Sequence, residues 1–164
     1  MKKLYIVRHA KSSWSDASLS DFDRPLNKRG FYDAPVMGSV LKNLDVSPDI
    51  VLSSPAKRAL TTAEIISREI GFAKNKIEEL RELYHAGPLD IIEIINNLKN
   101  DYKSAMIVGH NPGLTYLINT LSNFNLPNLP TCGFVEIDFH LKDWQAVSKN
   151  TGKVVRFEYP KKYK

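Results

Sequence analysis

The chain has 164 residues, 43% hydrophobic and 25% charged, which suits one folded domain with a real core and excludes a disordered or fibrous polypeptide. Its net charge of +5 favours anionic substrates or acidic protein partners, although ordinary solvated lysines give the same balance. No apolar stretch is long enough to span a membrane or form a signal-peptide core, and no RNA-binding aromatic motif or long basic helix is present, so neither membrane nor nucleic acid is an expected partner.

The first apolar run, Leu4-Tyr5-Ile6-Val7, reads as a buried strand ending at Arg8-His9. A polar stretch from Ala10 to Pro25 follows, long enough to be a functional loop. Asn27 is expected to cap a helix running towards Leu44, with Ala34, Met37, Leu41 and Leu44 on one face. Pro35 falls inside that pattern and predicts a kink or a late start. Asp49 to Ser53 forms a second buried strand. Ser54-Pro55 then reads as a helix cap with proline in the first turn, ahead of the stripe Ala59, Ala63, Ile66, Ile70, which Gly71 ends.

A shorter strand is expected within Lys76 to Leu80. Pro88 opens a helix with Ile91, Ile92, Ile95 and Leu98 inward. The run Ala105-Met106-Ile107-Val108 reads as another buried strand, leading to Gly109-His110. Asn111-Pro112 repeats the cap-and-proline start for a helix burying Leu114, Leu117, Ile118 and Leu121. After a connection from Asn123 to Pro130, two alternating segments, Gly133 to Phe139 and Lys153 to Tyr159, read as strands near a sheet edge. The tail Lys161-Lys162-Tyr163-Lys164 is expected to be frayed from about residue 160. Strands alternating with helices predict an α/β fold: a three-layer α/β/α sandwich around a mostly parallel sheet, one domain over 1–164.

In such sheets ligands bind beyond the carboxyl ends of the strands. His9 and His110 both emerge there, and Arg58, in the first turn of the helix after the second strand, can reach the same crevice. Arg8 and Arg58 offer planar, permanently charged donors that match phosphate oxygens. The helix after Asn111 adds backbone N–H groups and the positive end of its dipole. This is a cage for a tetrahedral dianion, built without metal or cofactor: four histidines lack zinc-ligand spacing, one cysteine is available, and no Gly-rich nucleotide loop follows any strand. One histidine must be neutral to attack phosphorus, which neighbouring guanidinium groups favour. The other, if protonated, adds charge over the transition-state oxygens. The residues alone leave open which is which.

Three segments, Leu4-Tyr5-Ile6-Val7-Arg8-His9-Ala10, Ser53-Ser54-Pro55-Ala56-Lys57-Arg58-Ala59 and Val108-Gly109-His110-Asn111, resemble the signatures of the histidine phosphatase superfamily. The compact length, Arg8-His9-Ala10-Lys11 and Ser20-Asp21-Phe22-Asp23-Arg24-Pro25-Leu26 are similar to its small SixA-type phosphohistidine phosphatase branch. The resemblance implies a phosphoglycerate mutase-like fold, His9 as the nucleophile that becomes phosphorylated, and Arg8, Arg58 and His110 as the phosphate pocket. Ala10 departs from the superfamily's usual glycine, which limits how closely the loop backbone approaches a ligand.

Larger relatives carry a general-acid carboxylate on an insertion for which this chain has little room. Glu79, Glu82 and Asp90 lie nearby in sequence but read as solvated charges, and His85 is a further weak candidate. Without a dedicated acid, a phosphoramidate is the favoured substrate, because imidazole is a far better leaving group than an alkoxide. Ser12, Ser13 and Ser15 are polar as wet loops are, and Arg24 either contacts substrate or pairs with Asp21 or Asp23. His140 reads as structural or exposed. The expected activity is a cytoplasmic phosphatase, the single cysteine fitting a reducing compartment, acting on a protein phosphohistidine. The rivals are a small-metabolite phosphatase or phosphomutase and a non-catalytic phosphohistidine-binding module. Oligomeric state is not legible.

Overall fold

A computed structural model describes residues 1–164. Its strands are β1 (Lys2–Arg8), β2 (Ile50–Ser53), β3 (Glu78–Glu79), β4 (Ser104–Gly109), β5 (Phe134–Phe139) and β6 (Gly152–Glu158), joined in one six-stranded sheet of order β3-β2-β4-β1-β5-β6. The β1–β4, β4–β2 and β2–β3 pairings are parallel. β5 runs antiparallel to both its neighbours, so it alone opposes the common direction. The last two segments are thus strands as expected, and β6, with its alternating exposure, forms one edge.

Helices α1 (Lys28–Asn43), α2 (Lys57–Ile70), α3 (Pro88–Asn96) and α4 (Gly113–Leu121) cover both faces. The pleat decides which helix sees which side chain, since successive strand residues point to opposite faces. Tyr5, Val7, Val51, Met106 and Val108 pack with Met37 and Leu41 of α1 and Ala63 and Ile66 of α2. Leu4, Ile6, Leu52 and Ile107 pack on the other side with Ile91 and Ile95 of α3 and Leu117 and Leu121 of α4. The three-layer α/β/α sandwich read from the sequence is the observed fold.

The expected Asn27 cap is present, and three other local expectations are corrected. α1 starts at Lys28, capped by the Asn27 side chain accepting from the Gly30 N–H (2.9 Å), and continues through Pro35 with no late start. The carbonyl that loses its helical partner belongs to Phe31, which lies on the exposed side of the helix. α2 starts at Lys57 with no side-chain cap, two residues after Pro55; Ser54 is engaged elsewhere, as described below. Pro112, joined to Asn111 by a cis peptide, precedes α4 instead of opening it, while Asn111 Oδ1 still accepts from the Thr115 N–H and Oγ1. The tail is not frayed: Pro160–Tyr163 forms a short 3₁₀ turn, Tyr163 donates to Glu158 (2.7 Å) and Lys164 Nζ lies 2.9 Å from the buried Asp33 carboxylate. No helix is long and apolar enough to cross a membrane.

Candidate active site

The parallel register sets the site. Arg8 pairs with Gly109 and Ser53 with Val108, so β1, β2 and β4 end level with one another. One residue further, the His9 N–H donates to Gly109 O and the Ser54 N–H to Val108 O, each at 3.0 Å. His9, Ser54 and His110 therefore leave the sheet side by side. The two imidazole rings lie with centroids 5.2 Å apart, their planes tilted by 53°. Both are buried.

His9 Nδ1 lies 2.7 Å from the Ala10 carbonyl oxygen. A carbonyl only accepts, so Nδ1 carries the proton and Nε2 keeps a free lone pair. Burial pulls the ring down to about 4, helped by Arg58, Arg8 and Arg24, while the bond to Ala10 opposes the shift. The imidazole is thus neutral at pH 7. Desolvation, more than the guanidinium groups expected from sequence, keeps it so. Ala10 is itself fixed: its N–H donates to Thr62 Oγ1 (2.9 Å), which in turn donates to the Arg58 carbonyl (2.7 Å). Beneath, the Cys132 N–H is shared between the carbonyls of Arg8 and His9.

His110 corrects one expectation. Burial first, then His9 and Arg58, hold it at about 3, so it is neutral in the free protein. Its Nε2 sits 2.8 Å from Ser54 Oγ, and Nδ1 is buried without a partner. Ser54 Oγ also accepts from the Ala56 N–H (3.2 Å), and both its proton and its second lone pair are within reach of His110 Nε2. When the hydroxyl proton points to Nε2, the ring proton sits on Nδ1, a donor for a bound oxyanion. Ser54, which would otherwise cap α2, serves the histidine.

Three guanidinium groups converge on this pair. Arg8 donates from Nη1 to the Leu129 carbonyl (3.0 Å), and its buried Nε–H has no partner. Arg58, on the first turn of α2, donates from Nη1 to the Asp21 carbonyl (2.6 Å) and from Nη2 to the Asp21 carboxylate (3.0 Å). Arg24, the third, was left open by the sequence. It is buried, pairs with Asp21 (2.9 Å) and not Asp23, donates to Ser13 O (3.0 Å) and to Ser12 Oγ, and stacks on Trp14 at 3.3 Å. Ser13 and Ser15 bond to each other near the surface.

Asp21 is the residue that sequence reasoning missed. Its carboxylate receives Arg58, Arg24 and the Tyr84 hydroxyl (2.6 Å), and these bonds hold its carboxyl far below the ordinary range. It stays ionised and is no proton donor. Its signal lay in the segment Ser20 to Leu26, but nothing local ties it to Arg58 or Tyr84, respectively 37 and 63 residues away. Tyr84 stacks edge-on to His110 (5.5 Å) and carries His85 on its other face (3.9 Å).

The general-acid candidates read from the sequence do not join the cage. Glu79 and Glu82 are exposed, and Asp90 accepts from the Gly87 N–H (2.9 Å) at the start of α3. His85 is exposed and lies against Tyr84. His140 is exposed. With neutral histidines, three guanidinium groups and one carboxylate leave a net charge of two, the match for a phosphoryl dianion.

These features define an α/β protein with a histidine pair and arginine cage built for phosphoryl chemistry. Residues 4–90 match the model of the histidine phosphatase superfamily (branch 1); the chain belongs to that superfamily, in its SixA-type branch. An uncharacterized chloroplastic protein of Arabidopsis thaliana is 30% identical over 159 residues, 92% of this chain and 72% of that protein. An uncharacterized protein of Mycobacterium tuberculosis is 34% identical over 73% of this chain and 72% of its own. Among solved structures, an Agrobacterium tumefaciens chain provisionally assigned as the phosphohistidine phosphatase SixA is 26% identical, with a TM-score of 0.83 over 97% of this chain and 98% of that one. The protein histidine phosphatase SixA complexed with tungstate shares the fold at 24% identity, TM-score 0.84, over 99% of each chain. Family and fold together support a phosphatase function.

Proposed function

We propose that the protein hydrolyses a phosphohistidine carried by another protein, through a covalent phosphohistidine on its own His9. The observation that carries this reading is the His9 hydrogen bond to the Ala10 carbonyl. It leaves Nε2 bare, in a ring kept neutral by burial. Nε2 attacks phosphorus in line, the N–P bond to the substrate breaks, and the imidazole leaves. Arg8, Arg58 and the His110 Nδ1 proton bind the phosphoryl oxygens and stabilise their charge in the transition state. Water then cleaves the phosphoenzyme, releasing inorganic phosphate and restoring His9.

The substrate class follows from what the cage lacks. Asp21 is ionised and the remaining carboxylates lie outside, so no carboxylic acid stands ready to protonate a departing alkoxide. A phosphohistidine needs none beyond protonation of its own ring, whose ordinary pKa is about 6.5. The names of the SixA structures agree with this class. A small-metabolite phosphatase or phosphomutase on the same scaffold is the second reading, since regions of phosphoglycerate mutase 1 of Saccharomyces cerevisiae also align, at 37% identity over 67 residues. A mutase must shield its intermediate from water, and this chain lacks capping insertions. The third, a non-catalytic phosphohistidine-binding module, has no use for a bare Nε2.

The test is turnover of a phosphohistidine protein against an alkyl phosphate monoester, together with trapping from a labelled phosphoryl donor. Preference for phosphohistidine and acid-labile label on wild type but not on His9→Ala are the expected results. Faster turnover of the alkyl ester, or label persisting in His9→Ala, overturns the substrate class or the nucleophile respectively. Tight phosphate binding with no label in wild type would favour the binding module.

A further inference from the structure

A groove lies away from the histidine pair, between edge strand β3 and the outer face of α3. Its floor is apolar: Leu80, Ile94 and Leu98 stand over the buried Leu52. Its rim is acidic, made of Glu78, Glu82, Asp90 and Glu93. The helical spacing of 90, 93, 94 and 97 turns a single face of α3 towards the groove, while Ile91 and Ile95 point into the core.

None of the four rim carboxylates belongs to an ion pair; the acidic partners used elsewhere are Asp21, Asp33, Glu64, Glu136, Asp138 and Glu158. Asp90 alone has a donor, a backbone N–H that caps α3. The chain carries an excess of five positive charges, so a patch of four unmatched acids beside an apolar floor runs against its composition. Beyond a Debye length of about 8 Å such a patch is screened, but a ligand seated in it meets the full local field. The patch also adjoins the site in the chain: Glu82 precedes Leu83 and Tyr84, whose ring lies against His110.

We infer that this groove docks a segment of the phosphorylated protein substrate in which basic residues alternate with apolar ones. The apolar side chains would cover Leu80, Ile94 and Leu98, and the basic ones would meet the rim. This rests on the reading of the substrate as a protein and adds the chemistry of its docking segment. It is the opposite of what the overall charge advertises. The net charge favours acidic matter, whereas the groove selects a basic partner.

The test separates docking from catalysis. The probe is a short fluorescein-labelled peptide of alternating lysine and leucine, followed by fluorescence anisotropy on the full chain. Wild type is expected to bind it, more weakly as salt rises, while a glutamate–leucine peptide does not bind. Glu78→Lys/Glu93→Lys is expected to weaken binding at least about tenfold, and the equal charge change Asp45→Lys/Asp101→Lys, at two exposed acids outside the groove, is expected to leave it intact. Turnover of free phosphohistidine should be the same in all variants. Equal binding by the groove variant, salt-independent binding, or equal binding of the acidic peptide overturns the inference. So does self-association of wild type that the groove variant abolishes, which would assign the groove to a second copy. Should the variant fail to fold, the salt dependence and peptide selectivity of wild type still decide. Absence of phosphohistidine turnover with peptide binding intact would sink the proposed function while leaving the docking surface standing.

Discussion

At the scale of single residues, burial keeps both imidazoles neutral, and one neighbour sets the tautomer of His9. The Ala10 carbonyl keeps a proton on His9 Nδ1, and Ser54 Oγ holds His110 Nε2 at 2.8 Å. Arg58 is the residue on which charge stabilisation turns, because it is buried and faces both histidines and Asp21. Two of its five donors hold Asp21, leaving three for a ligand. Arg58→Ala is expected to lower kcat by roughly 10²–10³-fold, the usual cost of deleting a preorganised transition-state donor. Steady-state kinetics check this; a change confined to KM would make Arg58 a ground-state binder. The sequence placed Arg58 but not its partner, because an aspartate in a polar loop has no local signature distinguishing a strut from a wet surface charge.

At the scale of elements, the site depends on how closely α4 approaches the segment after β3. A Cβ on Gly113 would stand 2.0 Å from the Ala86 carbonyl oxygen, a backbone atom that cannot swing away. The absence of a side chain there lets the start of α4 lie against the turn carrying Tyr84 and His85. Gly113→Ala is expected to destabilise the fold by roughly 1–3 kcal/mol, as overpacking does, and to lower turnover by shifting Tyr84 against His110. A urea titration and an activity assay measure the two effects. An unchanged midpoint would mean the Ala86 segment yields freely. Helix starts were the elements least legible in advance. Ser54-Pro55 has the composition of a cap, yet the serine is taken by a histidine 56 residues away and α2 begins later. Pro35 forces no late start of α1, because Phe31, on the exposed side of the helix, can turn its free carbonyl to water.

At the scale of the whole molecule, two neutral buried imidazoles couple stability to pH. Their pKa values in the fold are about 4 and about 3, against 6.5 for the free side chain. Below pH 6.5 the unfolded chain takes up protons that the folded chain refuses, so the free energy of unfolding falls as pH falls. Stability should therefore be level above about pH 6.5 and decline progressively towards pH 4. Asp21, whose pKa is also depressed, adds its loss only at more acid values. Urea midpoints compared at pH 7 and pH 5 test this, with a His9→Gln/His110→Gln variant expected to show the shallower decline. Equal slopes would mean that neither ring is protected from protonation.

Hydrophobic periodicity by itself determined the sandwich, because strands buried on both faces and helices with one apolar stripe leave few ways to pack. The same periodicity put His9, Arg58 and His110 at one end of the sheet, since strand ends are local facts. Tertiary structure alone decided the charge of His110, the diversion of Ser54, the linkage of Asp21 to Arg58, Arg24 and Tyr84, and the docking of the basic tail against Asp33. Each depends on desolvation or on hydrogen bonds between stretches remote in the chain, and neither leaves a periodic trace in the order of residues.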